Sequence, residues 1–120
     1  MPVGPSTFGL TFELEARPNV IMATEERSMS SVRATVKKNG IPVKDSLVYF
    51  TILTGPGEFS DYNRRTAAFT DMNGVAEVTY IGPTSFEISA DTLATIKSQL
   101  ETTTPDYIHK QIDIRILIEQ

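Results

Sequence analysis

The 120-residue sequence has no cysteine, no tryptophan and one histidine. Without cysteine there is no disulfide, no thiolate metal site and no cysteine nucleophile, so the fold must stand on its apolar core. One histidine and no cysteine also leave zinc without its usual ligand set. Basic residues are in the minority, with 11 Lys and Arg against 15 Asp and Glu, a net charge of −4 and a pI near 4.9. The basic doublets, Lys37-Lys38 and Arg64-Arg65, read as solvated strand ends. Nucleic acid is excluded as a partner, because neutralising phosphates takes clustered positive charge. No apolar run approaches the ~18 residues of a membrane-spanning helix, and the first residues lack the basic-then-apolar layout of a signal peptide. Export would need a signal ahead of Met1.

What is present is ordinary globular composition, 40% hydrophobic and 22% charged. A chain of this length holds one core. Met1-Pro2-Val3-Gly4-Pro5-Ser6 suits an extended tether, so residues 1–9 are expected to form a linker and 10–120 a single domain.

Within that domain apolar residues alternate with polar ones at the period of a strand with one buried face. Leu10, Phe12, Leu14 and Ala16 form a first run, interrupted by Pro18, after which Asn19 to Thr24 is expected to continue the same edge. Val32, Ala34 and Val36 form a second, and Val48, Phe50 and Ile52 a third that is apolar on both faces, as near the centre of a sheet. Ala76, Val78 and Tyr80 follow the turn Asp71-Met72-Asn73-Gly74, with residues 65–70 as the first arm of a hairpin. Ile112, Ile114, Ile116 and Ile118 share a face of the last run. Residues 86–100 support two readings. Leu93, Ile96 and Leu100 recur at helical spacing with Ser89 as a cap, whereas Ala94, Ile96, Ser98 and Leu100 recur at strand spacing. In a chain otherwise built of strands the strand takes precedence. The fold class is therefore all-β, a sandwich of about seven to eight antiparallel strands in two sheets.

The turns carry a further signal. Asn39-Gly40-Ile41-Pro42-Val43, Val48-Tyr49-Phe50, Gly55-Pro56-Gly57 and Thr70-Asp71-Met72-Asn73-Gly74-Val75-Ala76 occur in that order. From Asn39 to Tyr80 the chain resembles the bacterial immunoglobulin-like repeats of the invasin and intimin group (Big-1-like), and Asp91-Thr92 with the strand after it resembles the segment that closes such repeats. The resemblance implies an immunoglobulin-like sandwich serving as a structural spacer or adhesion domain of an exported cell-envelope or extracellular protein. Its partners would be neighbouring domains of a larger surface protein or a host or cell-surface ligand. No second repeat occurs in the 120 residues, and the resemblance carries no ligand site onto them.

Reactive chemistry is sparse. His109 and Asp113 share a strand face but lie about 13 Å apart at ~3.3 Å per residue, too far for a dyad. There is no G-x-S-x-G elbow around any serine, so no enzyme activity is expected, and no catalytic, cofactor or metal residue is assigned. Asp71 and Asn73 resemble the opening of a Ca²⁺ loop, but the later acidic ligand is missing and both residues are suited to forming the turn. Asn39, Gly40, Pro42, Asp71, Asn73 and Gly74 are accordingly assigned as structural turn residues. Phe59 and Tyr62, in the irregular stretch 55–63, are the candidate ligand surface, with inward folding to cap the sandwich the competing reading. They support an alternative function, a ligand- or glycan-binding accessory domain of a secreted enzyme or surface lipoprotein. Tyr49 and Tyr107 are the other aromatic candidates.

Overall fold

A computed structural model describes residues 9–101 and 108–119. The expected tether, apart from Gly9, and Tyr107 lie outside them. Ten strands run in the order β1 (Leu10–Arg17), β2 (Val20–Ala23), β3 (Met29–Lys38), β4 (Ile41–Pro42), β5 (Leu47–Thr54), β6 (Glu58–Phe59), β7 (Arg65–Phe69), β8 (Val75–Ile81), β9 (Thr92–Leu100) and β10 (Ile108–Ile118). The first sheet is ordered β1-β3-β8-β6 with β4 on β3, and the second β2-β10-β9-β5-β7. The sandwich is the one expected, with β4 and β6 as extra two-residue strands. Residues 92–100 form a strand, so the helical alternative for this segment is set aside.

The alternating residues meet between the sheets. Val32, Ala34 and Val36 from β3 and Val48 and Phe50 from β5 are fully buried, as are Ile96 of β9 and Ile114 and Ile116 of β10. At roughly 1.5–3 kcal/mol for burying each large aliphatic or aromatic side chain, this shared layer is the main favourable term holding a domain without disulfides.

Two expectations fail, both over which sheet a strand joins. Residues 19–24 do not prolong the edge of β1: the chain crosses to the second sheet after Arg17, and β2 runs parallel to β10, pairing Val20 with Arg115 and Ala23 with Ile118. It crosses without reversing direction, so this pair is parallel while every other is antiparallel. The crossover, which contains a cis Arg17–Pro18 peptide, is held by Ser30 Oγ donating to Pro18 O at 2.7 Å and Arg115 N donating to Asn19 O at 2.9 Å.

The expected hairpin of residues 65–81 is likewise no hairpin. β7 pairs with β5 and β8 with β3, so its two arms lie in different sheets. The hydrogen bonds at either end of the turn explain why. Thr70 N donates to Ser46 O and Asp45 N to Thr70 O, which ties the entry to the start of β5; Val36 N donates to Gly74 O, which ties the exit to β3.

Candidate functional site

Two places gather residues that the sequence marks, and a third stands out in the structure alone. The first is the corner between β7 and β8. Asp71 Oδ1 accepts from the backbone N–H of Asn73 at 2.8 Å and of Val75 at 3.0 Å, while Gly74 N donates to Asp71 O and Asp71 N to Val75 O. The carboxylate is thus spent on the turn. Gly74 alone in this turn has positive φ, +75°, and a Cβ there would sit 2.4 Å from Val36 O and 3.3 Å from Pro42 Cα. The corner therefore brings Gly74 against Pro42. Asn39 (φ +52°) and Gly40 (φ +81°) make the two-residue reversal between β3 and β4, and Gly40 has open space around it.

Thr70 belongs to this corner, although composition and spacing gave it no role. Only 2% exposed, its hydroxyl donates to Val43 O at 2.6 Å and accepts from Ser46 N at 2.9 Å. A threonine heading a T-D-x-N-G turn is the one clue the sequence offers.

The second place is the stretch from Gly55 to Arg64. Phe59 is 1% exposed and meets Phe50 edge-on, with ring centroids 6.5 Å apart, whereas Tyr62 is 78% exposed. The two do not form a shared surface: Phe59 closes the core and Tyr62 faces solvent alone. Tyr62 has φ +66°, an uncommon value for an aromatic residue. Tyr62 N donates to Phe59 O at 2.8 Å, Phe59 N to Asn63 O at 2.9 Å and Asn63 N to Asp61 Oδ1 at 3.2 Å, so a tight turn fixes its position.

Gly55-Pro56-Gly57 passes where no side chain fits. A Cβ on Gly55 would lie 2.1 Å from Leu93 O, and one on Gly57 2.3 Å from the hydroxyl of Tyr80. Tyr80 is fully buried and donates to Pro56 O at 2.6 Å, and burial pushes its pKa up to about 12. A tyrosine on the inward face of an alternating strand needs such an acceptor, a requirement visible in the sequence without revealing which carbonyl meets it.

The third place, at the end opposite the corner, is one that sequence reasoning missed. Arg27 binds Glu87 through two parallel bonds of 2.7 and 2.8 Å and donates to Gly82 O at 3.2 Å, while Thr84 N donates to Glu87 Oε1 at 2.8 Å. The guanidinium bonds, foremost, and the Thr84 amide hold the Glu87 pKa down to about 2. Sixty residues separate the partners, and no local pattern announces the pair.

The remaining candidates stand apart from these places. Asp113 accepts from Thr95 Oγ1 at 2.7 Å across the β9–β10 pair. Tyr49 donates to Glu101 Oε1 at 3.0 Å, and the Arg65 guanidinium lies 5.0 Å over its ring. Asp91, in the segment read as closing the repeat, accepts from Ile118 N at 2.8 Å and secures the end of β10. Among the described residues no three His, Asp or Glu side chains are grouped as a metal site.

No family model matches the chain, and no curated protein does. Solved structures do. The D00–D0 domain of intimin matches with a TM-score of 0.63 at 20% identity over 91% of this chain and 48% of its own, so the chain spans about half of that structure. AggA, the major subunit of aggregative adherence fimbriae type I from Escherichia coli, matches with a TM-score of 0.62 at 10% identity, covering 92% of this chain and 95% of its own. A conjugative transposon lipoprotein from Bacteroides eggerthii matches with a TM-score of 0.55 at 12% identity, covering 90% and 98%. What this chain shares with all three at such identities is a fold, the immunoglobulin-like sandwich.

Proposed function

We propose that this chain is a non-catalytic immunoglobulin-like module of an exported bacterial protein, acting at the cell envelope as a structural spacer or adhesion domain. The observation that carries the reading is the employment of the polar turn residues. Asp71 and Asn73 look like the start of a ligand loop in one dimension, yet Asp71, with its neighbours Thr70 and Gly74, is bound to backbone that closes the sandwich. Such a corner makes a stiff unit and leaves no reactive group to act on a substrate. The fold shared with an intimin domain, a fimbrial subunit and a lipoprotein supports an envelope setting. The test is protease shaving of intact cells that express the full-length gene product. Peptides of this domain released without lysis are expected, and peptides released only after lysis would overturn the reading.

A second reading, a glycan- or ligand-binding accessory domain, is favoured by one observation: Tyr62 combines high exposure with a backbone conformation that side chains rarely adopt. Phe59 takes no part in it. Under this reading the purified chain binds members of a glycan array and Tyr62→Ala abolishes the signal; binding unchanged in Tyr62→Ala would remove the site.

A further inference from the structure

The sheet edges are not equally protected. β6 has two residues; β2 has four and covers β10 only from Arg115 to Ile118, the uncovered part of β10 carrying Lys110 and Asp113; and β1 carries Glu13, Glu15 and Arg17 along its outer face and runs into Pro18. Short edges, charges and prolines are the usual means of keeping a strand edge from pairing with another chain. β7, Arg65-Thr66-Ala67-Ala68-Phe69, has no proline, carboxylate or bulge. Its one charge is turned inboard, with the Arg65 guanidinium lying over Tyr49 on the neighbouring strand.

The register shows which backbone groups β7 leaves open. Ile52 N donates to Arg64 O and Thr70 N to Ser46 O, so the even-numbered residues of this segment exchange bonds with β5. Along a strand the backbone groups alternate sides, so Arg65, Ala67 and Phe69 turn their N–H and C=O groups away from β5. Among the described residues no backbone group bonds to them. Their side chains also point outward, and Phe69 is 65% exposed.

These three residues are self-complementary. Set antiparallel to itself about a two-fold axis at Ala67, β7 places Arg65 opposite Phe69 of the second copy and Ala67 opposite Ala67. All the open groups of the three residues then pair, and no like charges face each other. The Arg65 guanidinium, already on Tyr49, gains a second aromatic neighbour. Shifting the register by two residues along either strand leaves open groups unpaired.

We propose that β7 pairs antiparallel with β7 of a second copy of this chain, extending the second sheet across a two-fold axis at Ala67. The proposal does not depend on the envelope role. Because five-residue strands bury less area than a stable interface requires, the dimer is weak and forms at high concentration.

Sedimentation velocity on the 120-residue chain, as a concentration series reaching millimolar, tests this. Wild type is expected to shift from monomer to dimer. Ala67→Lys and Ala67→Glu each bring like charges face to face at the axis and should weaken the dimer about tenfold or more. An equimolar mixture of the two should recover a dimer of one copy of each. Both changes lie on the exposed outer face, so matching melting temperatures would show that the fold is intact. A wild type that stays monomeric overturns the proposal, whether or not its edge captures an unrelated extended peptide. So does dimerisation indifferent to both substitutions, or a mixture that stays monomeric.

Discussion

At the end of the sandwich where β5 and β8 begin, Thr70 and Asp71 close the fold with short side chains bonded to backbone and Gly74 with its own backbone, and Thr70 and Gly74 are out of water. At the opposite end Arg27 and Glu87 reach across solvent, each side chain 45% exposed, to join two loops. The first arrangement works through geometry that water cannot replace. The second works through charge that water and salt can screen. Breaking the corner should therefore lower stability under all conditions, whereas breaking the clamp should lower it only where Glu87 is charged.

The largest effect is expected at Gly74. Valine there must adopt φ near +75° and place its Cβ 2.4 Å from Val36 O, a backbone atom. Strain and clash together should cost roughly 3 kcal/mol or more, read as a fall in the denaturation midpoint. Gly40→Ala makes the contrast, because Gly40 has a similar φ of +81° but nothing within 4 Å of a new Cβ. Its cost should stay near 1 kcal/mol. Equal losses at the two sites would mean that the close approach of Gly74 to Val36 contributes nothing.

Next comes Thr70→Val, which keeps the shape and removes the hydroxyl. Val43 O and Ser46 N would then lose their partner in a buried setting, a cost of roughly 1–3 kcal/mol. Thr70→Ser, which can restore both bonds, should recover most of it. A Thr70→Val as stable as wild type beside a destabilised Thr70→Ser would assign the role to the methyl group and its packing instead.

The corner was largely legible in the sequence, and the clamp was not. Asn39-Gly40 and Asp71 to Gly74 announce turns because those residue types bond to nearby backbone or accept positive φ, which is local physics. Alternation likewise announced the inward faces of β3, β5 and β10. It cannot say which sheet a strand joins, since a strand with one buried face fits either. That is why residues 65–81 read as a hairpin when Ser46 and Val36 draw its arms into different sheets, and why Asn19 to Thr24 read as more of β1. The bidentate pair of Arg27 and Glu87 depends on two loops that meet only after the sheets are stacked. Phe59 and Tyr62, three residues apart, differ through the tight turn between them, whose hydrogen bonds send one ring to Phe50 and the other to solvent.

The smallest effect, Glu87→Gln, tests the distinction between the ends most directly. In the folded chain the Glu87 carboxyl titrates at about 2, against an ordinary value of 4.5, chiefly because Arg27 donates to it. A carboxyl with a depressed folded pKa favours folding fully above its unfolded pKa, and that contribution disappears as pH falls through the folded pKa. The clamp's share of stability should therefore be complete at neutral pH and decline between pH 4.5 and about 2. Glutamine keeps an acceptor for Arg27 but cannot titrate. Melting temperatures of Glu87→Gln should lie a little below wild type at pH 7, and the gap should close as pH falls through that window, so their fall on acidification should be shallower. In Gly74→Val the loss should instead persist across the same range, since neither φ nor a steric contact changes with protonation. If Glu87→Gln gave a constant offset with an unchanged acid limb, Arg27 and Glu87 would be joined through geometry as Thr70 and Asp71 are, and the two ends would no longer be distinct in kind.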